Sequence, residues 1–181
     1  VDVIEQVGRA AQAGQPARIV AKMNSLTDER LVQALVDANQ QGAQIDLIVR
    51  GACILPAQVP GWTERIRVRS IIGRMLEHTR VFWFQRGKTS ELYLSSADWM
   101  NRNMLRRIEV AWPVEDPQLR QRIIDECLVA YLHDTSDAWD MQSDGHYLSV
   151  RQTRQKLAKG STRENRRSAQ LALMARHPFQ P

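Results

Sequence analysis

An α/β domain, with a mixed β-sheet flanked by helices, is what this sequence predicts, and three observations carry that expectation. Short apolar runs at residues 17–23 and 45–49 read as strands, and segments of helical periodicity stand before and between them. The joints between these segments are short and built from Gly, Pro and polar residues, which favours sequential packing over separate domains. At 181 residues the chain is most simply one domain, long enough to bury roughly two-thirds of its unfolded surface.

Residues 1–14 place Val3, Ile4, Val7 and Ala11 at helical spacing, and Gly14-Gln15-Pro16 ends the helix. Residues 17–23 form the first strand. Ser25 or Thr27 caps a helix running to about residue 41, with Leu31, Ala34, Leu35 and Ala38 on its apolar face and Gly42 as its stop. Residues 45–49 are continuously apolar in appearance, as in a strand buried on both faces. Strand, helix and strand with short joints predict a parallel crossover. Pro56, Pro60 and Gly61 make residues 51–62 a loop.

Residues 65–69 alternate strictly, with Arg65, Arg67 and Arg69 on one face and Ile66 and Val68 on the other, so a half-buried strand with a cationic outer face is expected. A helical turn through Met75 leads to His78. Two strands follow, at 81–84 and 92–94, joined by a turn over 86–90, and the second ends in Ser95-Ser96-Ala97-Asp98. Residues 105–114 read as a further strand, with Arg107, Glu109 and Ala111 opposite Ile108 and Val110. Asp116 caps a long helix to about Tyr131, residues 134–147 read as irregular, and residues 163–176 as a final helix. Trp62 and Trp99 are expected to be packing residues.

Net charge is +5, unevenly spread. Residues 50–107 carry 11 basic and 4 acidic side chains, residues 108–150 carry 2 and 9, and residues 151–181 carry 8 and 1. The middle block is a concentrated positive field within the domain and the last a basic extension; both suit anionic ligands. Cys53 and Cys127 cannot build a disulfide framework, and no Cys/His spacing resembles a zinc site. No basic-then-apolar leader opens the chain and no apolar run nears the roughly 20 residues of a membrane helix. The expected setting is the reduced cytoplasm, with peripheral attachment at the inner membrane face as a variant. Opening on Val1 without methionine, the chain is expected to be a piece of a longer one.

His78 is the candidate for chemistry, because a neutral imidazole can take or give a proton near physiological pH. Arg74 and Arg80 flank it, and Ser95, Ser96 and Asp98 stand where an adjacent strand ends, which is where open α/β sheets gather their ligands. Arg50 ends the 45–49 strand and is followed by Gly51: a guanidinium fork can grip phosphate oxygens while the glycine lets backbone approach. Lys22 holds the corresponding place in the first strand, and Asp98 serves to orient a basic group. His133, His146 and His177 carry no comparable surroundings, and GxxxxGK[ST] and GxGxxG are absent.

The runs KMNSLTDERLVQAL, GAQIDLIVRGACIL, IRVRSIIGRMLEHTRVFWF, YLSSADWMNRNMLRRIEV and DPQLRQRIIDE resemble, in register from about Lys22 to Glu126, the C-terminal catalytic domain of type 1 polyphosphate kinases. The resemblance implies a phospholipase-D-like fold whose domain here spans residues 1–150, with 151–181 a basic helical extension of it. It implies reversible transfer of the terminal phosphate of ATP to inorganic polyphosphate, with ADP as the other product and magnesium as cofactor. It implies as well that the phosphorylated histidine and the magnesium-linked residues belong to another domain, so this chain alone is expected to be inactive, and the full enzyme is expected to be a homo-oligomer. On this sequence Arg50 of IVRG becomes an ATP-phosphate contact and His78 of LEH a second active-site histidine touching ATP, with Lys22, Arg74 and Arg80 as further phosphate-binding candidates. No metal ligand is identified. Against the superfamily pattern HxKx4D, Arg80 replaces the lysine and Gln85 the aspartate.

Two other readings stay open at this point. One is a phospholipase-D-type phosphodiesterase acting through His78. The other is a non-enzymatic module that binds nucleic acid or another polyanion through the basic blocks, although the aromatics lie in apolar runs and are not interleaved with the basic residues.

Overall fold

The computed structural model describes residues 1–157 and 166–178. Its centre is a mixed eight-stranded sheet in the order β6-β5-β4-β1-β2-β3-β7-β8, the predicted α/β class. The first part is α1 (Asp2–Gln12), β1 (Ala17–Met23), α2 (Glu29–Gln40), β2 (Gln44–Val49) and β3 (Ile66–Ile71). Strands β1, β2 and β3 pair in parallel. The hairpin β4 (Val81–Arg86) and β5 (Thr89–Ser95) then joins the other side of β1, β4 antiparallel to it. Gly87 turns that hairpin at φ +57°, a conformation that favours glycine.

Each strand's alternation sorts its side chains onto two faces. Ile19, Ala21, Ile45, Leu47, Ile66, Val68, Phe82 and Phe84 pack under α1 and α2, against Ile4, Val7, Leu31 and Leu35. Val20, Ile48, Ile71, Val81 and Leu92 face the other way, towards Leu128, Tyr131 and Ala169. Burying one Leu or Ile of this kind contributes about 2 kcal/mol.

Several expectations need correction. The α2 cap is Asp28, whose side chain accepts from the Arg30 and Leu31 amides; Ser25 and Thr27 belong instead to the extended exit of β1, where the Thr27 amide bonds the Trp99 carbonyl. No helical turn reaches Met75; residues 72–80 are irregular. The strand expected at 105–114 shrinks to β6 (Ala111–Pro113) after the short helix α3 (Asn101–Leu105), and Ile108 is fully exposed. Alternation makes a strand only where a neighbour supplies hydrogen bonds, and β5 reaches only three residues of that run.

Asp116 caps the next helix through the Leu119 amide, as expected. Helix α4 (Pro117–Ile123) continues through a π-helical stretch (Ile124–Val129) into α5 (Ala130–Leu132). Residues 134–147 are not irregular: β7 (Ala138–Met141) pairs with β3, and β8 (Tyr147–Ser149) with β7. Arg69 fixes that edge by gripping Asp140, a partner 71 positions away that periodicity cannot reveal. Helix α6 (Val150–Leu157) follows, and the last helix is α7 (Ala169–Arg176), shorter than the predicted 163–176, whose residues 163–165 lie outside the described ones. Trp99 packs as expected, 4.9 Å from Phe82, whereas Trp62 is 44% exposed. No helix among the described residues is long and apolar enough to cross a membrane.

Candidate active site

Strands β1 and β2 end, β4 begins and β5 ends at one rim of the sheet, because β4 is antiparallel to both β1 and β5. The segments leaving β1, β2 and β5 run on together. Leu26 bridges both Cys53 and Trp99, its amide bonding the Ala52 carbonyl at 2.8 Å and its carbonyl the Ile54 amide at 3.1 Å. This stitching brings Arg50, His78 and residues 95–98 to one edge, although 48 positions separate the first from the last.

Arg50 follows the last residue of β2, and its carbonyl accepts from Ser70 Oγ at 3.1 Å. Its Nε is buried with no hydrogen-bond partner. Gly51 lets the strand exits close: a Cβ there would stand 3.1 Å from the Asn24 carbonyl oxygen. An open groove of about 440 Å³ is lined by Arg50, Gly51, Gly73, Arg74, Leu76 and Glu77.

His78 is exposed at this rim. The Arg80 guanidinium lies against its ring, 3.4 Å from Nδ1 and 3.5 Å from Nε2, and donates to the His78 carbonyl at 3.3 Å. Arg80 is itself held by Asp98 through two 3.0 Å bonds. Burial works to raise the Asp98 carboxyl, but the bonds from Arg80 and the Asn24 amide outweigh it and hold the group below the usual carboxylate range. Asp98 therefore fixes the Arg80 guanidinium beside His78.

Other candidates sit differently from expectation. Lys22 is not at the groove surface: it is 2% exposed, with Nζ 2.6 Å from Glu77 Oε2 and 3.4 Å from the centre of the Tyr131 ring. Burial lowers the Lys22 pKa and Glu77 opposes that shift. A lysine so committed is no direct phosphate grip. Ser95 and Ser96 turn away from His78: Ser95 Oγ donates to the Val110 carbonyl at 3.2 Å, and Ser96 Oγ bonds the Glu109 carboxylate and accepts from the Val110 amide. Gln85 lies at the far end of β4, opposite Arg18, with Nε2 pointing to the Gly87 carbonyl.

Of the cationic face expected over residues 65–69, Arg67 and Arg69 are paired within the chain, whereas Arg65 lies just before β3 and is exposed. Arg67 and Arg18 both grip the buried Asp46, a charge inside the run that looked wholly apolar, and Arg69 takes Asp140 and the 131, 132 and 134 carbonyls. A cavity of about 360 Å³ lies over these pairs, under the π-helical stretch. Glu77 and Gln170 went unnoticed in the sequence; a glutamate beside a histidine and a glutamine in a basic tail give no local sign of burial.

The family model for the polyphosphate kinase C-terminal domain 2 matches residues 1–160. The chain belongs to that family. The polyphosphate kinase of Burkholderia cenocepacia strain HI2424 is 50% identical over 166 residues, 92% of this chain and 23% of that protein. The polyphosphate kinase of Xylella fastidiosa strain Temecula1 is 54% identical over 147 residues, 81% of this chain and 21% of that one. The crystal structure of polyphosphate kinase from Porphyromonas gingivalis superposes with a TM-score of 0.85 at 35% identity, over 97% of this chain and 25% of that chain. This polyphosphate kinase domain thus spans about a quarter of the length of the relatives it matches.

Proposed function

We propose that this chain forms one wall of a polyphosphate kinase active site, which transfers the terminal phosphate of ATP reversibly to inorganic polyphosphate. The observation that carries the reading is that Arg50 and Arg74 line one open groove together with Glu77, the residue before His78. Phosphoryl transfer asks mainly for positioning and for positive charge around developing negative charge. Arg50 and Arg74 both bring positive charge to the groove they line. Arg80, fixed by Asp98, keeps the His78 imidazole in place, where it can touch a nucleotide phosphate and pass a proton to or from a transferring oxygen.

Family membership supports the assignment of reaction, since the relatives bear the name polyphosphate kinase. Magnesium is the cofactor such an enzyme would use; among the described residues no group of three or more His, Cys, Asp or Glu side chains could hold a metal ion. A phosphodiesterase reading loses ground to Arg80 and Gln85, which stand where that chemistry wants a lysine and an aspartate. A nucleic-acid reading loses ground to the internal pairing of Arg18, Arg67 and Arg69.

The test is His78→Gln in a full-length enzyme carrying this chain, assayed for radiolabelled polyphosphate from ATP. Synthesis reduced at least about 100-fold is expected, the scale of a lost general acid or base. Synthesis at the parent rate would reject the site.

A further inference from the structure

We infer that Glu77 is a positioning residue for the proposed reaction, pegging the loop that carries Arg74 and His78 to the central strand β1 and to α7. Between Ile72 and Thr79 every described side chain except Glu77 is exposed, Ile72 at 63% and Leu76 at 77%; Glu77 is at 8%. A stretch with no regular structure and a single buried side chain takes its place in space from that side chain.

The peg is fully engaged. Glu77 Oε2 accepts from Lys22 Nζ at 2.6 Å, and Oε1 accepts from Gln170 Nε2 at 2.6 Å. Gln170, 4% exposed on α7, also holds the backbone of the same loop: its Oε1 accepts from the Met75 amide at 2.7 Å and its Nε2 donates to the Met75 carbonyl at 2.8 Å. Gly73 accommodates this clamp, for a Cβ there would meet Gln170 Oε1 at 2.5 Å. The Tyr131 ring closes the far side of the Lys22 ammonium. Three elements distant in sequence, β1, the 117–132 helix and α7, thus converge on one carboxylate, and His78 is the next residue.

Stability alone does not explain an ion pair at this depth. Replacing a buried pair by well-packed apolar side chains is often neutral or stabilising, because desolvating two charges costs as much as their attraction returns. What an apolar residue at 77 could not do is answer both Lys22 and Gln170 in fixed directions. The pair sets where the loop sits.

The inference rests on the proposed site, so its test reads the loop and the reaction separately. Ring proton–carbon NMR of the 181-residue chain, with His78 assigned by its disappearance in His78→Gln, reports the loop without any activity. Glu77→Gln is expected to shift or broaden the His78 signal and, in a full-length enzyme, to lower kcat about 100-fold while KM for ATP changes less. The paired variant Lys22→Met/Glu77→Leu removes both charges together; it is expected to recover the thermal midpoint but neither the His78 signal nor kcat. Recovery of all three would overturn the inference, leaving the pair a packing device. An unmoved His78 signal in Glu77→Gln would overturn it too. A displaced His78 with unchanged synthesis would support the peg and reject the proposed site.

Discussion

Arg80 and Asp98 meet fork to fork across 18 positions of sequence, Nε 3.0 Å from Oδ1 and Nη2 3.0 Å from Oδ2. Arg80 stands just before β4 and Asp98 just after β5, and Asp98 also accepts from the Asn24 amide at 2.7 Å beyond β1. One carboxylate therefore ties three strand ends at the rim where His78 lies. Both side chains are nearly buried, so the pair is screened little by solvent.

Asp98→Asn is expected to destabilise the fold by about 3 kcal/mol at neutral pH, since it leaves the Arg80 charge buried and unpaired. The folded Asp98 pKa is depressed, so its contribution is complete above the unfolded carboxylate pKa and is lost as pH falls through the lower, folded value. Urea unfolding of parent and variant, compared between about pH 6 and about pH 2.5, should show the gap closing on the acid side. A gap constant over that range would mean that the Asp98 pKa is not depressed in the fold.

Arg50→Lys should fail to replace arginine. An ammonium is a point charge, whereas Arg50 brings a planar guanidinium fork to the groove it lines. Polyphosphate synthesis by a full-length enzyme is expected to fall at least about 10-fold at limiting ATP. Parent-like rates at both low and saturating ATP would exclude Arg50 from phosphate binding.

The 181-residue chain by itself should fold but not turn over. Its two apolar layers suffice for a core, while one wall of a site cannot hold donor, metal and acceptor together. Labelled ATP, magnesium and polyphosphate incubated with it should leave the polymer unlabelled. Labelled polymer that vanishes in His78→Ala would show the domain to be self-sufficient.

Cys53 should resist alkylation. Burial pushes its thiol up to about 11, outweighing an opposing backbone hydrogen bond from Leu55. Its thiolate at pH 8 is scarcer than that of a free cysteine by about 100-fold, and iodoacetamide labelling followed by mass spectrometry should be slower in proportion. Burial raises Cys127 in the same direction. Labelling of Cys53 at the free-thiol rate would show that its burial is lost in solution.

Local signals in this sequence carried far. The spacing of Leu31, Ala34, Leu35 and Ala38 marked α2, the apolar run 17–23 marked β1 to the residue, and Arg50-Gly51 marked the end of β2, because periodicity and turn chemistry act over a few residues. The family was legible too, in motifs that are contiguous in the chain.

What only the tertiary structure decided is which polar groups are buried, and against what. Lys22 and Glu77 lie 55 positions apart, Arg18 and Asp46 28, Glu77 and Gln170 93. Nothing within a window of ten residues tells a lysine destined for the sheet interior from one bound for solvent; its environment is assembled from strands and helices that meet only on folding. The same holds for Ala138–Met141, whose four residues become a strand because Arg69 and the open edge of β3 await them. Alternation at 105–110 failed for the converse reason: its pattern suited a strand, and no partner strand was there to pair with it. Periodicity specifies a face, but burial and pairing need a neighbour, and only the folded chain supplies one.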